Sequence, residues 1–331
     1  MLIRGFFQTS KFYENYCLWI KSVRDRDVIK ICYLFYNEGM SQVDIGNMMG
    51  LSRWKIGRAI KDARERELIS IAINHPQSDL TEIEIALAKK FSIKEATVVN
   101  ISEYDRISPL DQLGVAGARY LTSIIDRHRI LGVTWGSTVS YVAKNLLKVN
   151  ANHLKLVQIG GGLGTIEGTD NPALTAMLGQ KLGAEAHVMQ APIIVQSKSI
   201  RDTLFKETRI RETIEIARKA DLVIFGVGLV GPESLLWQSG LLNERDVAKL
   251  KMAGAVGAIC GRFYDDQGVR CSYDLEGRTI GLNLYELKKI KHKILIVLGL
   301  EKVQAILGAL RGDLVDALVI DSDTAEHLLN L

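Results

Sequence analysis

Short apolar runs alternate with helical stretches over most of this 331-residue chain. Eight runs rich in apolar and β-branched residues predict strands, at 96–101, 130–134, 154–159, 186–189, 221–227, 255–259, 293–298 and 317–320. Most are followed by sequence with the period of a helix. The alternation predicts an α/β domain, with a mostly parallel sheet and helices on both faces, beyond a linker near 75–78. Such sheets bind ligands at the carboxyl ends of their strands.

Residues 41–60 follow a different pattern, the spacing of a helix-turn-helix. Ile45 and Met49 lie four residues apart, on one face of a first helix. Gly50 falls at the turn, where glycine adopts a positive φ freely. Ser41 and Ser52 stand where the two helices would begin, and serine is a favoured N-cap residue.

The second helix of this pattern is strongly basic. Between Leu51 and Arg66 there are six basic and two acidic residues, a net charge of +4 that equals the net charge of the whole chain. A local basic surplus favours contact with DNA phosphates. Ile56 and Ala59 fall on the opposite face, so the predicted DNA-binding residues are Ser52, Arg53, Trp54, Lys55, Arg58 and Lys61.

Two flanking segments would complete this domain, which we predict to span residues 24–75. Residues 27–36 form a helical apolar run suited to a supporting first helix, and residues 68–73 alternate partly, as a strand or wing would. An ordinary two-helix corner with a solvated charged face remains the alternative interpretation. Residues 1–23 are assigned to an N-terminal arm of unknown role, and 76–331 to the ligand-binding and oligomerisation domain.

Composition narrows the class of protein. Hydrophobic residues make up 47% of the chain, yet no apolar run reaches the roughly 18 residues of a membrane span. The first 23 residues lack the apolar core and cleavage site of a signal peptide. Four scattered cysteines and six dispersed histidines show no metal-ligand spacing, which favours a reduced, cytoplasmic protein without a metal site or other cofactor.

Three segments have residue types suited to binding an anionic ligand. The sequence Trp135-Gly136-Ser137-Thr138 joins a predicted strand to a helix, and a helix N-terminus suits a phosphate. The Gly160–Gly164 loop holds four glycines in five residues, and Asn171 precedes Pro172 at a helix start. Lys302 follows another strand. Simple helix capping by these residues, and a solvated surface lysine, remain open alternatives.

A literal GxGxxG motif spans 226–231 and suggests dinucleotide binding. Pro232 follows its third glycine directly, and Asp246, the nearest acid about 20 residues on, falls in a helical pattern rather than at a strand end. Nicotinamide binding is therefore a minor alternative.

Taken together, these motifs resemble the SorC family of sugar-binding transcriptional regulators over about residues 25–331. The resemblance is carried by the order and spacing of several short motifs: LSRWKIGR at 51–58, TWGST at 134–138, GGGLG at 160–164 with Asn171-Pro172, FGVG at 225–228, AVG at 255–257, GRFYD at 261–265, Gly281-Leu282, the Lys302/Ala305/Ile306 spacing and ALVID at 317–321.

The resemblance implies a winged helix-turn-helix joined to a Rossmann-like effector domain related to sugar-phosphate isomerases and deaminases. It implies binding of operator DNA and of a phosphorylated sugar, without catalysis, by a homo-oligomer that is a tetramer, a dimer of dimers. Transferred position by position, the family's effector residues are Gly136, Ser137, Thr138, Gly161, Gly162, Asn171 and Lys302.

The chain departs from the family pattern at two positions. Ala258 stands where many relatives carry an acid that would accept hydrogen bonds from sugar hydroxyls, which leaves the effector's identity open. Leu300 stands where a small residue often precedes the lysine, and we expect it to narrow the pocket.

The leading hypothesis is a DNA-binding regulator controlled by a phosphorylated sugar or similar metabolite. The alternatives are an enzyme acting on sugar phosphates and a nicotinamide-responsive repressor. Catalysis would need a positioned acid or base near the TWGST loop. His128, His153 and His187 fall near predicted strand starts, away from that edge, so no catalytic residue is assigned.

Overall fold

The structure is a computed structural model that describes residues 25–66, 68–69, 78–101, 107–164 and 171–331. The predicted arm at 1–23, residues 70–73 of the predicted wing and residues 75–77 of the linker lie outside these ranges. The chain divides into two compact units, Met1–His75 and Pro76–Leu331. Each unit is described separately.

The first unit contains three described helices, α1 (Asp25–Tyr36), α2 (Gln42–Met49) and α3 (Arg53–Glu65). Their apolar faces meet in one core, whose fully buried members are Val28, Ile31, Cys32, Ile45, Ile56, Ala59, Ile60 and Ala63. These positions recur every three or four residues, the spacing that places side chains on one face of a helix. Three helices therefore lie at the positions predicted for the helix-turn-helix and its supporting helix.

The second unit is an α/β domain. Its helices are α4 (Ser78–Phe91), α5 (Pro109–Ile124), α6 (Ser137–Asn145), α7 (Asn171–Leu182), α8 (Lys198–Leu204), α9 (Thr208–Ala217), α10 (Leu235–Gln238), α11 (Glu244–Met252), α12 (Tyr273–Arg278), α13 (Leu284–Lys288), α14 (Val303–Arg311) and α15 (Ser322–Asn330). Its strands are β1 (Glu95–Val99), β2 (Ile130–Val133), β3 (Lys155–Gln158), β4 (Glu185–His187), β5 (Leu222–Phe225), β6 (Gly257–Ile259), β7 (Arg262–Tyr264), β8 (His292–Val297) and β9 (Ala317–Asp321).

Seven strands form one parallel sheet, in the order β1-β9-β8-β5-β2-β3-β4. Both faces of this sheet are covered. Along β5, Val223 and Phe225 enter one apolar cluster, while Leu222 and Ile224 enter another on the opposite face. The predicted doubly wound sheet is confirmed.

The 255–259 run departs from the predicted alternation. It forms β6, which pairs with β7 in a separate two-stranded antiparallel sheet. Cys260 and Gly261 connect the two strands with φ values of +50° and +73°. A two-residue turn with positive φ at both positions reverses the chain at once, whereas a parallel pair needs a long crossover.

The chain winds away from the middle of the sheet in two directions. From β2 it continues outward through β3 and β4, and it then returns to place β5 on the other side of β2, followed by β8 and β9. Strand order therefore reverses between β2 and β5. At such a reversal the loops leave neighbouring strands in opposite directions and open a crevice at their carboxyl ends.

A cluster of titratable side chains lies at the opposite edge of the sheet, where the strands begin. The Tyr120 hydroxyl donates to the Glu95 carboxylate and lies 3.0 Å from Nε2 of His292. The rings of His128 and His292 meet edge to face, with centroids 5.5 Å apart. Nδ1 of His128 is 3.8 Å from the Asp221 carboxylate.

Burial lowers the pKa of both His128 and His292. Nearby acids raise these pKa values and Lys94 lowers them, with smaller effects than burial. A buried histidine with a depressed pKa stays neutral in the folded protein when the unfolded chain, near pKa 6.5, already takes up its proton. Below about pH 6.5 this difference lowers the free energy of unfolding.

We therefore expect the protein to lose thermal stability between pH 7.5 and 5.5. The double variant His128→Gln/His292→Gln should lose less stability over this interval, because glutamine takes up no proton. The exposed His153 provides the control, and His153→Gln should keep the wild-type pH dependence. Thermal unfolding followed by circular dichroism at each pH measures the effect, and equal slopes for the double variant and wild type would contradict it.

Candidate nucleic-acid interface and ligand cavity

The turn between α2 and α3 is fixed by hydrogen bonds at each helix end. The Ser41 hydroxyl accepts from the Asp44 amide at 3.2 Å, and the Ser52 hydroxyl accepts from the Lys55 amide at 3.4 Å. Gly50 ends α2 with a φ of +66°, in the left-handed region. Glycine pays no steric cost in that region, so the chain turns tightly into α3.

The predicted DNA-binding residues occupy the solvent side of α3 and its cap. The buried positions of this helix are Ile56, Ala59, Ile60 and Ala63. The residues on the other side are Ser52, Arg53, Trp54, Lys55, Arg58 and Lys61, each at least partly exposed. Trp54 is 62% exposed, a large apolar ring presented to solvent at the start of the helix.

The basic residues of α3 divide into two groups. At the start of the helix the Arg58 guanidinium stacks on Trp54, 4.9 Å from the ring centroid. Towards its end, Arg64 lies 5.7 Å from the ring centroid of Tyr36, and Arg66 pairs with acids at 2.6 and 3.1 Å. Lys61 lies 3.6 Å from the carboxylate of Glu65, with both side chains well exposed. The sequence did not reveal that the last two arginines join α3 to α1.

A cavity of about 400 Å³ lies in the crevice where strand order reverses. It is lined by residues that follow β2, β5 and β8 and by the β6–β7 hairpin: Trp135, Gly136, Ser137, Thr138, Gly226, Val227, Gly228, Leu229, Glu233, Ser234, Leu235, Leu236, Ala258, Cys260, Gly261, Glu301 and Lys302. Its volume is in the range typical of small-molecule sites.

One side of the cavity is the N-terminus of α6. Gly136 precedes this helix with a φ of +137°, and Ser137 and Thr138 form its first turn. The first amides of a helix have no partner within the helix and favour an anion. At Gly226 a Cβ atom would lie 2.8 Å from the Thr138 hydroxyl, so glycine is needed for β5's loop to approach this turn.

Lys302 lies on the facing side, in the 3₁₀ turn Leu300–Lys302 after β8. Asp321 fixes the start of this turn. One of its carboxylate oxygens accepts from the Gly299 amide at 3.0 Å, and the other accepts from the amide and the hydroxyl of Thr324. Burial lowers the pKa of Lys302, and the nearby acids Glu301 and Asp321 oppose this effect. Within the described ranges, Lys302 has no acid within the 4.0 Å of an ion pair.

The remaining wall is mostly apolar, apart from Glu233 and Ser234, and includes the hairpin turn. Gly228 and Ala258 exchange two backbone hydrogen bonds, of 2.8 and 3.0 Å, which fasten the loop after β5 to β6. Ala258 presents a methyl group, as the sequence predicts. Burial raises the pKa of the Cys260 thiol to about 12, so it stays protonated at neutral pH.

Arg262 supports this hairpin from within the protein. Its guanidinium donates to four backbone carbonyls, those of Glu276, Thr279, Gly281 and Leu282, at 2.8 to 3.3 Å. Its Nη1 also lies 3.2 Å from the Glu276 carboxylate. Burial lowers the pKa of Arg262, and the Glu276 charge opposes this shift. The hairpin is thus held by contacts that do not involve a ligand.

Among the described residues, two polar side-chain atoms at or next to the cavity lining have no hydrogen-bond partner. They are the Thr134 hydroxyl, in a residue that is 2% exposed, and the indole nitrogen of Trp135, whose ring lines the cavity. Each unpaired buried group costs about 1–3 kcal/mol, so such groups mark places where a ligand or water completes the structure.

Several predicted effector residues lie elsewhere. Gly161 and Gly162 are absent from the cavity lining over the described residues; their amides donate to the carbonyls of Ile280 and Ala191, at 3.0 and 2.8 Å. A Cβ at Gly161 would lie 2.4 Å from the carbonyl of Pro192, so close packing explains this glycine. Asn171 begins α7, and its side chain lies outside the described part of the structure.

The structure corrects two further expectations and adds two residues to the cavity lining. Leu300 is 53% exposed and does not line the cavity, because the 3₁₀ turn points it to solvent. His187 is the last residue of β4 rather than a residue near its start, although it too lies outside the cavity lining. Glu233 and Glu301 line the cavity, and neither could be expected there from the sequence because their loops meet only in the fold.

The GxGxxG motif does not open a helix. The next helix, α10, begins at Leu235 and is only four residues long. The dinucleotide fingerprint requires its third glycine at the start of a helix whose N-terminus binds the pyrophosphate. Among the described residues there is also no group of three side chains suited to a metal ion. None of the described helices combines the length and hydrophobicity needed to cross a membrane.

Comparison with known proteins extends this description. A family model described as "Putative sugar-binding domain" matches residues 75–330. The deoxyribonucleoside regulator of Bacillus subtilis (strain 168) is 31% identical over 303 residues, which cover 91% of this chain and 96% of that protein. The chain belongs to the SorC family of sugar-binding transcriptional regulators.

Two solved structures of transcriptional regulators have the same fold. The full-length sorbitol operon regulator SorC from Klebsiella pneumoniae matches with a TM-score of 0.72 and 28% identity, covering 92% of this chain and 98% of that one. A DeoR family transcriptional regulator from Listeria monocytogenes matches with a TM-score of 0.70 and 27% identity, covering 76% of this chain and all of that one. The relatives are named as regulators of transcription, and this SorC-family chain shares their fold.

The turn geometry of this SorC-family protein generates a prediction at two helical glycines. A Cβ at Gly46 would lie 2.6 Å from the backbone oxygen of Leu51, which cannot move without breaking the turn. We expect Gly46→Ala to lower the free energy of unfolding of this unit by about 1–3 kcal/mol, the usual cost of overpacking. Hydrogen exchange of the α2 and α3 amides in the intact protein measures the change.

Gly57 provides the matched control on α3. A Cβ there would lie 3.1 Å from the flexible side chain of Gln42, which can move aside. Gly57→Ala should be neutral or stabilising, since glycine inside a helix costs about 0.5–1 kcal/mol relative to alanine. Equal protection in both variants would show that the α2–α3 turn is not constrained at Gly46.

Proposed function

We propose that this protein is a transcription regulator that binds operator DNA through the start of α3 and changes its operator affinity when a phosphorylated sugar, or a similar metabolite, occupies the cavity. The observation that carries the proposal is the chemistry of that cavity. It brings the N-terminus of α6 together with Lys302, a half-buried lysine with no ion-pair partner among the described residues, in one crevice of a SorC-family fold.

The DNA-binding part of the proposal follows from the exposed face of α3. A recognition helix enters the major groove with its N-terminal residues at the base edges. Ser52, Arg53, Trp54, Lys55, Arg58 and Lys61 share that face. Arginine reads guanine by a pair of hydrogen bonds, and lysine and serine contact phosphates. The Arg58 guanidinium lies 4.9 Å from the centroid of the exposed Trp54 ring, so both groups are on the same side of α3.

The effector part follows from the two sides of the cavity. A phosphate group between Gly136, Ser137 and Thr138 would accept hydrogen bonds from the first amides of α6, and Lys302 would supply a positive charge. Gly161 and Gly162 would act indirectly, by packing the loop after β3 against its neighbours. Asn171 would contact the effector or cap α7.

Control of DNA binding would come from linkage. An effector that binds two states of the protein unequally shifts the balance between them and so changes operator affinity. We propose a cytoplasmic homotetramer, a dimer of dimers, in which paired recognition helices match two operator half-sites. The protein would act without catalysis. Turnover of a sugar phosphate by the purified protein would instead identify an enzyme.

We expect Arg53→Ala and Arg58→Ala each to weaken operator binding by about 1–3 kcal/mol if these side chains reach base edges. Loss of a phosphate contact would instead reduce the salt dependence of binding by about one unit of slope. Lys30→Ala removes the same charge from the exposed side of α1, outside the predicted DNA-binding set, and should leave binding nearly unchanged. Fluorescence anisotropy with DNA from upstream of the gene, at several salt concentrations, separates these outcomes.

Unchanged affinity in both arginine variants would show that α3 does not present these side chains to DNA. Failure of the wild-type protein to bind any upstream fragment in a specific, salt-sensitive way would overturn the proposed function itself.

The cavity is tested by Lys302→Gln, which keeps the length of the side chain but removes its charge. A thermal-shift screen of the wild-type protein against sugar phosphates identifies a ligand, and calorimetry then compares the variants. We expect Lys302→Gln to lower the affinity for that ligand by at least tenfold, because a charge-assisted contact to phosphate is lost. Lys251→Gln, at an exposed site outside the cavity, should bind like wild type. Equal binding by all three proteins would place the phosphate elsewhere.

A further inference from the structure

We infer that the cavity accepts ligands with a single phosphate group and that Glu233 is the residue that rejects a second one. The inference rests on the proposed function, since it concerns the ligand of the same cavity, and it narrows the ligand to sugar monophosphates. It also assigns a selectivity role to a residue that no sequence motif marks.

The charged groups of the cavity are few. Over its described lining they are one cation, Lys302, and two carboxylates, Glu233 and Glu301. One positive and two negative charges give a formal sum of −1. A single phosphate can be matched by Lys302 together with the first amides of α6. For a second phosphate the described lining offers no further cation.

The two carboxylates stand in different positions. Glu301 adjoins Lys302 in the same 3₁₀ turn and raises the pKa of that lysine, so part of its charge is already balanced. Glu233 lies in the loop between β5 and α10. Within the described residues it has no cation within 4.0 Å, and its charge is therefore unbalanced.

The loop that carries Glu233 is held in place at both ends. Gly228 is fastened to Ala258 by two backbone hydrogen bonds. Ser234, which is 4% exposed, caps α10 by accepting from the Trp237 amide at 3.2 Å. The backbone at Glu233 is therefore held at the cavity wall, and its exposed side chain extends from that wall.

The cavity is narrow enough for the Glu233 charge to act across it. A sphere of about 400 Å³ is about 9 Å across, close to the Debye length of about 8 Å at physiological ionic strength. A second phosphate beyond the first would be repelled by Glu233, and salt would screen this repulsion in part because the Glu233 side chain is exposed. A neutral hydroxyl at the same place would instead donate a charge-assisted hydrogen bond to the carboxylate.

The apolar residues nearby strengthen the contrast. Leu229, Leu235 and Ala258 line the same cavity and provide no polar group for an anion. Transfer of an unpaired charge to such surroundings is costly, whereas carbon atoms of a sugar skeleton pack there without cost. Charge and wall chemistry therefore favour the same class of ligand, a monophosphate whose far end is uncharged.

The test compares matched pairs of ligands on the intact protein by calorimetry. The pairs are fructose 6-phosphate with fructose 1,6-bisphosphate, glucose 6-phosphate with glucose 1,6-bisphosphate, and ribose 5-phosphate with ribose 1,5-bisphosphate. In any pair that binds, we expect wild type to prefer the monophosphate by at least tenfold. Glu233→Gln should reduce this preference by about tenfold, mainly because the variant should bind the bisphosphate with higher affinity. Glu326→Gln, on the exposed side of α15, is the charge-matched control and should keep the wild-type ratio.

The outcomes separate this inference from the proposed function. If no sugar phosphate of either kind binds wild type, the proposed ligand class fails and the inference with it. If wild type binds both members of a pair equally, or if Glu233→Gln leaves the ratio unchanged, only the inference is overturned. The salt dependence of the wild-type ratio is an independent check that needs no variant: preference for the monophosphate should decrease as salt is raised, because added salt screens the repulsion.

Discussion

The reversal of strand order between β2 and β5 is the constraint on which the candidate ligand site depends. Because all seven strands of the main sheet are parallel, their carboxyl ends share one edge. Only where neighbouring connections leave in opposite directions is there room for a ligand at that edge. The α6 N-terminus and the loop carrying Gly226 therefore meet at that place, and the hydroxyl of Thr138 occupies the space that any larger residue at 226 would need.

In the first unit, the turn between α2 and α3 is fixed largely by the residues at the helix ends. The core of this unit is small, so these residues determine much of the geometry of the turn. Serine caps both α2 and α3, and Gly50 takes the left-handed conformation between them. The positive charges at the end of α3 pair with acids or rest on an aromatic ring within the unit. Those at its start lie on the outer face, where Arg58 stacks on the exposed Trp54 ring, at the end of the helix that we propose enters a groove.

Local patterns predicted most elements of the fold, because strand runs, caps and turn glycines are signalled by neighbouring residues. Gly136 to Thr138 and Lys302 could also be anticipated, since each follows a strand and lies at the start of a helix or turn. The β6–β7 hairpin could not, because a three-residue strand is too short to show a period, and Cys260 is an unusual residue for positive φ. Glu233 was missed for another reason: its role depends on which loops become neighbours, and that is a property of strand order.

The sides of the cavity are held by contacts that need no ligand. Arg262 fixes the hairpin, Asp321 fixes the turn before Lys302, and Gly228 ties the β5 loop to Ala258. A preorganised site spends little binding free energy on ordering its own groups. Over the described part of the chain, two polar groups of the cavity stay unsatisfied: the Lys302 ammonium, which has no ion pair, and the Trp135 indole nitrogen, which has no hydrogen-bond partner. A ligand that pairs these groups removes a cost of about 1–3 kcal/mol each, and coupling free energies between allosteric sites are of the same size. The free energy needed to switch DNA affinity can therefore arise from satisfying these groups, without a large rearrangement of the cavity itself.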